Sequence, residues 1–169
     1  MSFMLFLIFF AACAVAATTG HFFGPGQWYV KLDKPDWTPP NWVFPLGWAI
    51  MYPAMAIAAW RVGISGHDLV PLALALWALQ LALNTLWTPI FFGLQQIFTA
   101  LVAICCMWVA VLLTTGVFIT IDWLAGLLFL LYLAWASFAS ALNYEVWKRN
   151  SDIPSKPENA GHSAASAEK

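Results

Sequence analysis

Residues 28–48, WYVKLDKPDWTPPNWVFPLGW, decide how this chain is read. They hold four tryptophans (Trp28, Trp37, Trp42, Trp48), four prolines (Pro35, Pro39, Pro40, Pro45) and the charges of Lys31, Asp33, Lys34 and Asp36. Apolar runs lie on both sides. Aromatic side chains with a polar handle favour the membrane–water boundary. Prolines fix the shape of a loop and lower the entropy cost of ordering it. A stiff aromatic loop between two apolar runs reads as the lid of a membrane bundle rather than a passive connector.

The surrounding composition agrees. Of 169 residues, 62% are hydrophobic and 9% charged, where a soluble domain carries about 25% charged residues. The net charge of −1 gives no basis for binding nucleic acid. Cys13, Cys105 and Cys106 all fall in apolar runs and read as small core or lipid-facing residues. Adjacent Cys105 and Cys106 have poor geometry for a disulfide or a metal.

Working outward, five apolar runs have the roughly 20-residue length that crosses a bilayer: about 3–20, 42–62, 70–92, 96–119 and 122–147. The spacing predicts an all-α, five-helix transmembrane bundle over 1–149, with loop 21–41 as a structured lid. No Lys or Arg precedes the first run, and Phe10 stands three residues before Cys13. The run therefore reads as a span, not as a cleaved signal or lipoprotein signal. Asn41 is expected to cap the second helix and Asp122 the fifth. Glu145 and Arg149 are placed to pair at i, i+4. Short connections predict antiparallel neighbours, and the polar segment 150–169 reads as a disordered tail. Lys31, Lys34, Lys148, Arg149, Lys156 and Lys169 share one side against Arg61 on the other. The positive-inside rule then puts the aromatic loop on the cytoplasmic side of an inner membrane.

Polar residues within spans face the bundle interior. Gln80, Asn84 and Thr88 recur at i, i+4, i+8, with Trp87 bordering them. This face serves either as interhelical hydrogen-bond glue or as a ligand lining. Tyr132, Trp135, Ala139 and Asn143 share a face of the fifth span, read either as a ligand wall or as aromatic core. Trp48 and Tyr52 do so on the second. Pro53 and Pro89 free the carbonyls of Ala49 and Thr85 and should distort their helices. Three such faces beneath one loop point to a cavity for a large, flat, mostly apolar ligand. No phosphate loop, dinucleotide fingerprint, metal-ligand cluster or catalytic triad stands out. His21 in the first loop reads as a solvated loop histidine first and as a haem-iron ligand second, and His67 and His162 lie in polar loop and tail. No obligatory cofactor and no metal are expected.

Three separated motifs resemble the translocator protein family, also called tryptophan-rich sensory proteins or peripheral-type benzodiazepine receptors. They are Trp28-Tyr29 through Trp42-Val43-Phe44-Pro45; Gln80, Leu83-Asn84, Trp87-Thr88-Pro89 and Phe91-Phe92-Gly93; and Trp135, Phe138-Ala139 and Leu142-Asn143-Tyr144. The resemblance covers roughly residues 5–149. It implies a multi-pass membrane protein, commonly a homodimer, in a membrane that could be an outer one. It implies a receptor, sensor or transporter that binds porphyrins, haem or related tetrapyrroles, along with sterols and benzodiazepine-type drugs. The alternative it implies is an enzyme for light- and oxygen-dependent porphyrin degradation, with Trp48 and Trp135 as the catalytic residues. Faces and resemblance together give Tyr29, Trp37, Trp48, Asn84, Trp87, Tyr132, Trp135 and Ala139 as candidate ligand-binding residues. Leu142, Tyr144 and Lys148 fit a sterol-recognition pattern, which is a weak sequence signal. Many members carry a proline before the tyrosine of the fifth helix; here Leu131 stands there, which predicts a straighter helix.

Overall fold

Helix α1, Ser2–Phe22, is the first of five long apolar helices in the computed structural model, which describes residues 2–151. The short helix α2, Gln27–Lys31, lies in the loop that follows. The remaining spans are α3, Val43–Gly63; α4, Val70–Thr88, continued by a π-helical turn at Pro89–Gly93; α5, Ile97–Ile121; and α6, Trp123–Arg149. Five helices of this length and hydropathy make the chain a multi-pass integral membrane protein. No strand occurs among the described residues.

The helices close into a ring in the order α1, α3, α6, α5, α4 and back to α1. Its two ends differ. At the end holding the α3 C-terminus and the α5–α6 turn, small residues let the backbones meet. Ala56, Ala58, Ala59, Val62, Ala73 and Val111 are buried there, with Phe118 against Phe129 at 4.7 Å. Gly126 permits the tight α5–α6 turn, because a β-carbon there would strike the side chain and backbone of Ile119. Asp122 caps α6 by accepting from the Ala125 N–H at 2.8 Å, as expected. It also accepts from Arg61 Nε at 3.0 Å and Nη2 at 2.7 Å, joining α3 to α6. The guanidinium, together with the backbone N–H groups, holds the Asp122 carboxyl below the usual carboxylate range; partial desolvation works the other way.

At the other end the ring is hollow and roofed. Pro89 has no N–H to give Thr85, and the chain widens into a π turn in which Leu94 N donates to Pro89 O at 2.9 Å. This turn carries Phe91 and Phe92 under the roof. Pro53 leaves α3 helical from Val43 to Gly63, and α6 runs unbroken past Leu131. The expected cap Asn41 is not the cap. Val43 N bonds Pro40 O at 2.9 Å in a turn, Trp42 takes the N-cap position without a side-chain bond, and Asn41 is left at the cavity mouth. Cys13 is buried and Cys105 and Cys106 are exposed on α5. Arg149 lies 3.7 Å from Glu145.

Residues 152–169 of the expected tail lie outside the described residues. Asn150, which composition assigns to that tail, is buried. Its side chain accepts from Asp33 N at 3.0 Å and donates to Asp33 O at 2.8 Å, pairing the loop with the tip of α6. Lys34 holds the loop's own turn, donating to the carbonyls of Tyr29 at 2.8 Å and Leu32 at 3.0 Å. Its ammonium sits 4.8 Å from the Tyr29 ring centroid.

Candidate ligand cavity

Under the roof lies a cavity of about 650 Å³, in the range of small-molecule sites. All five spans contribute walls. Small residues on α1 (Cys13, Ala14, Ala17) and α6 (Ala136, Ala139) leave the space, and aromatic residues on α3, α4 and α6 bound it. Tyr29, Phe23, Pro25 and Asn41 close the top.

The aromatic wall is built from facing helices. Trp48 stacks on Tyr52 one turn away, centroids 5.1 Å apart. Across the cavity end, Trp48 meets Trp135 edge to face at 6.4 Å and 83°. Trp87 stacks on Phe91 at 5.0 Å, and Tyr29 meets Phe92 edge-on at 5.4 Å. Burial raises the Tyr29 phenol above its ordinary value, so it stays a neutral donor at physiological pH.

Most polar groups of the wall are already engaged. Tyr52 Oη donates to Asn84 Oδ1 at 3.1 Å, and Asn84 Nδ2 donates to Tyr132 Oη at 2.9 Å. Trp87 Nε1 donates to Asn143 Oδ1 at 2.8 Å, and Asn143 Nδ2 to Ile97 O at 3.3 Å. These faces are therefore both glue and lining. One donor differs: Trp135 Nε1 is buried and has no hydrogen-bond partner among the described residues. A buried donor without a partner costs free energy comparable to a lost hydrogen bond.

Of the sequence candidates, Tyr29, Trp48, Asn84, Trp87, Trp135 and Ala139 come together on this cavity. Two do not line it. Trp37 lies on the outer side of the loop, half exposed, with its ring 5.8 Å from Phe138. Tyr132 is fully buried behind the wall, where it supports Asn84 and donates to Met107 Sδ at 3.6 Å. Gln80 is buried lower down, its amide 3.7 Å from Met55 Sδ. The sterol pattern splits: Leu142 faces inward, whereas Tyr144 and Lys148 are exposed on the other side of α6. His21 lines the rim. Sequence reasoning missed Phe44, Phe91, Met107 and the α1 wall. The i, i+4 pair of small residues Cys13 and Ala17 was the available signal for that wall.

A ring of five bilayer-length helices around a roofed aromatic cavity defines the class: an α-helical, multi-pass membrane protein with an intramembrane pocket. The comparisons with known proteins narrow it. A model of the TspO/MBR family matches residues 6–148, and the chain belongs to that family. The "Protein CrtK" of Rhodobacter capsulatus is 47% identical over 152 residues, covering 89% of this chain and 95% of its own. The "Tryptophan-rich sensory protein" of Cereibacter sphaeroides is 47% identical over 155 residues, 91% and 96% of the two chains. The human "Translocator protein" is 40% identical over 129 residues, 73% and 75%.

Proposed function

We propose that this protein is a membrane receptor, sensor or transporter that binds porphyrins or related tetrapyrroles in the roofed cavity. The observation that carries the reading is the roofed aromatic space of about 650 Å³, bounded by the rings of Trp48, Trp87 and Trp135 beneath Tyr29. A flat apolar macrocycle fills the space between these indoles. Relatives named as a sensory protein and a translocator agree with a binding role. Sterol is the weaker ligand, because the residues of its pattern do not share a surface.

Titration with protoporphyrin, read as tryptophan quenching, tests the reading. Saturable quenching in the wild type and its loss in the Trp135→Ala, Tyr29→Ala double variant are expected. Unchanged binding in that variant rejects the site.

A second reading is favoured by one observation, the Trp48–Trp135 pair at 6.4 Å. An indole of this pair can give an electron to a light-excited porphyrin bound beside it, and the porphyrin passes that electron to oxygen as superoxide. The indole cation then takes an electron back from the macrocycle, and the porphyrin cation combines with the superoxide, so the porphyrin is oxidised, one oxygen molecule is taken up and the indole is restored. Product formation that needs light and disappears in Trp48→Phe while binding persists supports this enzyme reading. Equal bleaching of porphyrin in detergent alone rejects it.

A further inference from the structure

Gly47, on the first turns of α3, faces the Trp135 ring of α6 beside the cavity. A β-carbon built on Gly47 stands 2.7 Å from both Cη2 and Cζ2 of Trp135 and 3.2 Å from Cε2. Contacts under 3.0 Å essentially never occur for real β-carbons. The glycine is not there for backbone freedom, since its φ is helical and, among the described glycines, only Gly66 has a positive one. Glycine inside a helix is less favourable than alanine. What its missing side chain provides is room for an indole.

That indole has little freedom to retreat. Phe44 meets it edge-on at 6.2 Å, Trp48 edge-on at 6.4 Å, and Phe138 lies tilted at 5.8 Å. The side left open is the cavity it lines. We propose that Gly47 is a specificity-determining position, whose absent side chain lets the Trp135 ring lie across the α3 backbone and so keeps the cavity wide enough for a planar macrocycle. The inference rests on the tetrapyrrole reading and deepens it. A methyl group at 47 moves the ring edge from 2.7 Å to at least the 3.4 Å of ordinary contact, a displacement of about 0.7 Å. Gly47 is thus a positioning residue acting through Trp135, and valine there has a larger effect than alanine.

The test is a double-mutant cycle on the full chain in lipid nanodiscs, comparing wild type, Gly47→Ala, Trp135→Leu and the double variant. Protoporphyrin affinity is measured for each, with the near-ultraviolet circular dichroism of the ligand-free proteins. Gly47→Ala is expected to weaken binding about tenfold and to change the tryptophan dichroism. In the Trp135→Leu background the same substitution should change affinity by less than about twofold, because no indole remains to be displaced. Equal losses in both backgrounds overturn the inference, since the effect then does not pass through Trp135. Unchanged affinity and dichroism in Gly47→Ala overturn it as well, with the tetrapyrrole reading intact. A wild type that binds no protoporphyrin overturns that reading and the specificity assignment with it, and the ligand-free dichroism then shows whether Gly47 still seats the indole. If a variant fails to insert, Gly47→Ser with Trp135→Phe repeats the cycle under the same criteria.

Discussion

At the scale of single residues, the site separates groups that hold the bundle from groups that face the ligand space. Asn84 bridges Tyr52 and Tyr132 with both ends of its amide. Asn84→Leu should leave two phenols short of a partner and lower stability by about 1–3 kcal/mol, measured by thermal unfolding in detergent; no change contradicts the bridge. Trp135 Nε1 has no such structural duty. Trp135→Phe should leave the unfolding midpoint nearly unchanged while weakening protoporphyrin by about fivefold, through the indole surface lost from the cavity wall. The reverse pattern, lost stability with full affinity, contradicts the assignment. Trp48, Asn84, Trp135 and Ala139 were legible in the sequence because helical spacing fixes which residues share a face. Trp37 and Tyr132 show what spacing does not fix. The pattern says which way a side chain points but not how deep the space beside it goes. Tyr132 points inward at a level already filled by Phe129 and Met107.

At the scale of elements, hydropathy delivered all five spans with ends correct to within two residues or so, because bilayer thickness sets their length. The short helix α2 and the π turn were not legible as such. The first owes its shape to Lys34 gathering backbone carbonyls. The second owes its own to one missing N–H at Pro89 and to the fit of Phe91 and Phe92 beneath Tyr29. The Asn150 latch joins residues 117 apart in sequence and leaves no local pattern at all. Asn150→Ala should speed hydrogen exchange at Asp33 and ligand release, with the far end of the bundle unaffected; unchanged exchange means the roof is held elsewhere. The α5–α6 turn makes a sharper demand. Gly126→Ala should cost about 2 kcal/mol through overpacking against Ile119. The ion pair there carries a pH dependence. The Asp122 carboxyl is depressed in the fold, chiefly by Arg61, so its contribution is complete above the unfolded value near 3.9. It is lost as the pH falls through the lower folded value. Wild type should lose stability below about pH 4 more steeply than Asp122→Asn, which keeps a good cap without the charge. Parallel profiles contradict the role given to the pair.

At the scale of the molecule, the ring divides the labour between its ends. Close-packed alanines and one ion pair stabilise one end, so the other can be hollow without the helices separating. That division is what makes a cavity of about 650 Å³ sustainable in a chain of 169 residues. That division was not read from the sequence, although the alanines of α3 beside a tryptophan-rich loop carry its signal, and the closure of the ring through α1 and α4 follows only from the packing. A ligand that binds only the folded protein raises its stability by mass action, by about 2.7 kcal/mol at a concentration of 100 Kd. The most direct measurement is a structure of the protein with protoporphyrin bound. The macrocycle should lie under Tyr29, bounded by the rings of Trp48 and Trp135. A macrocycle held on the lipid-facing surface, with the roofed cavity empty, contradicts the account.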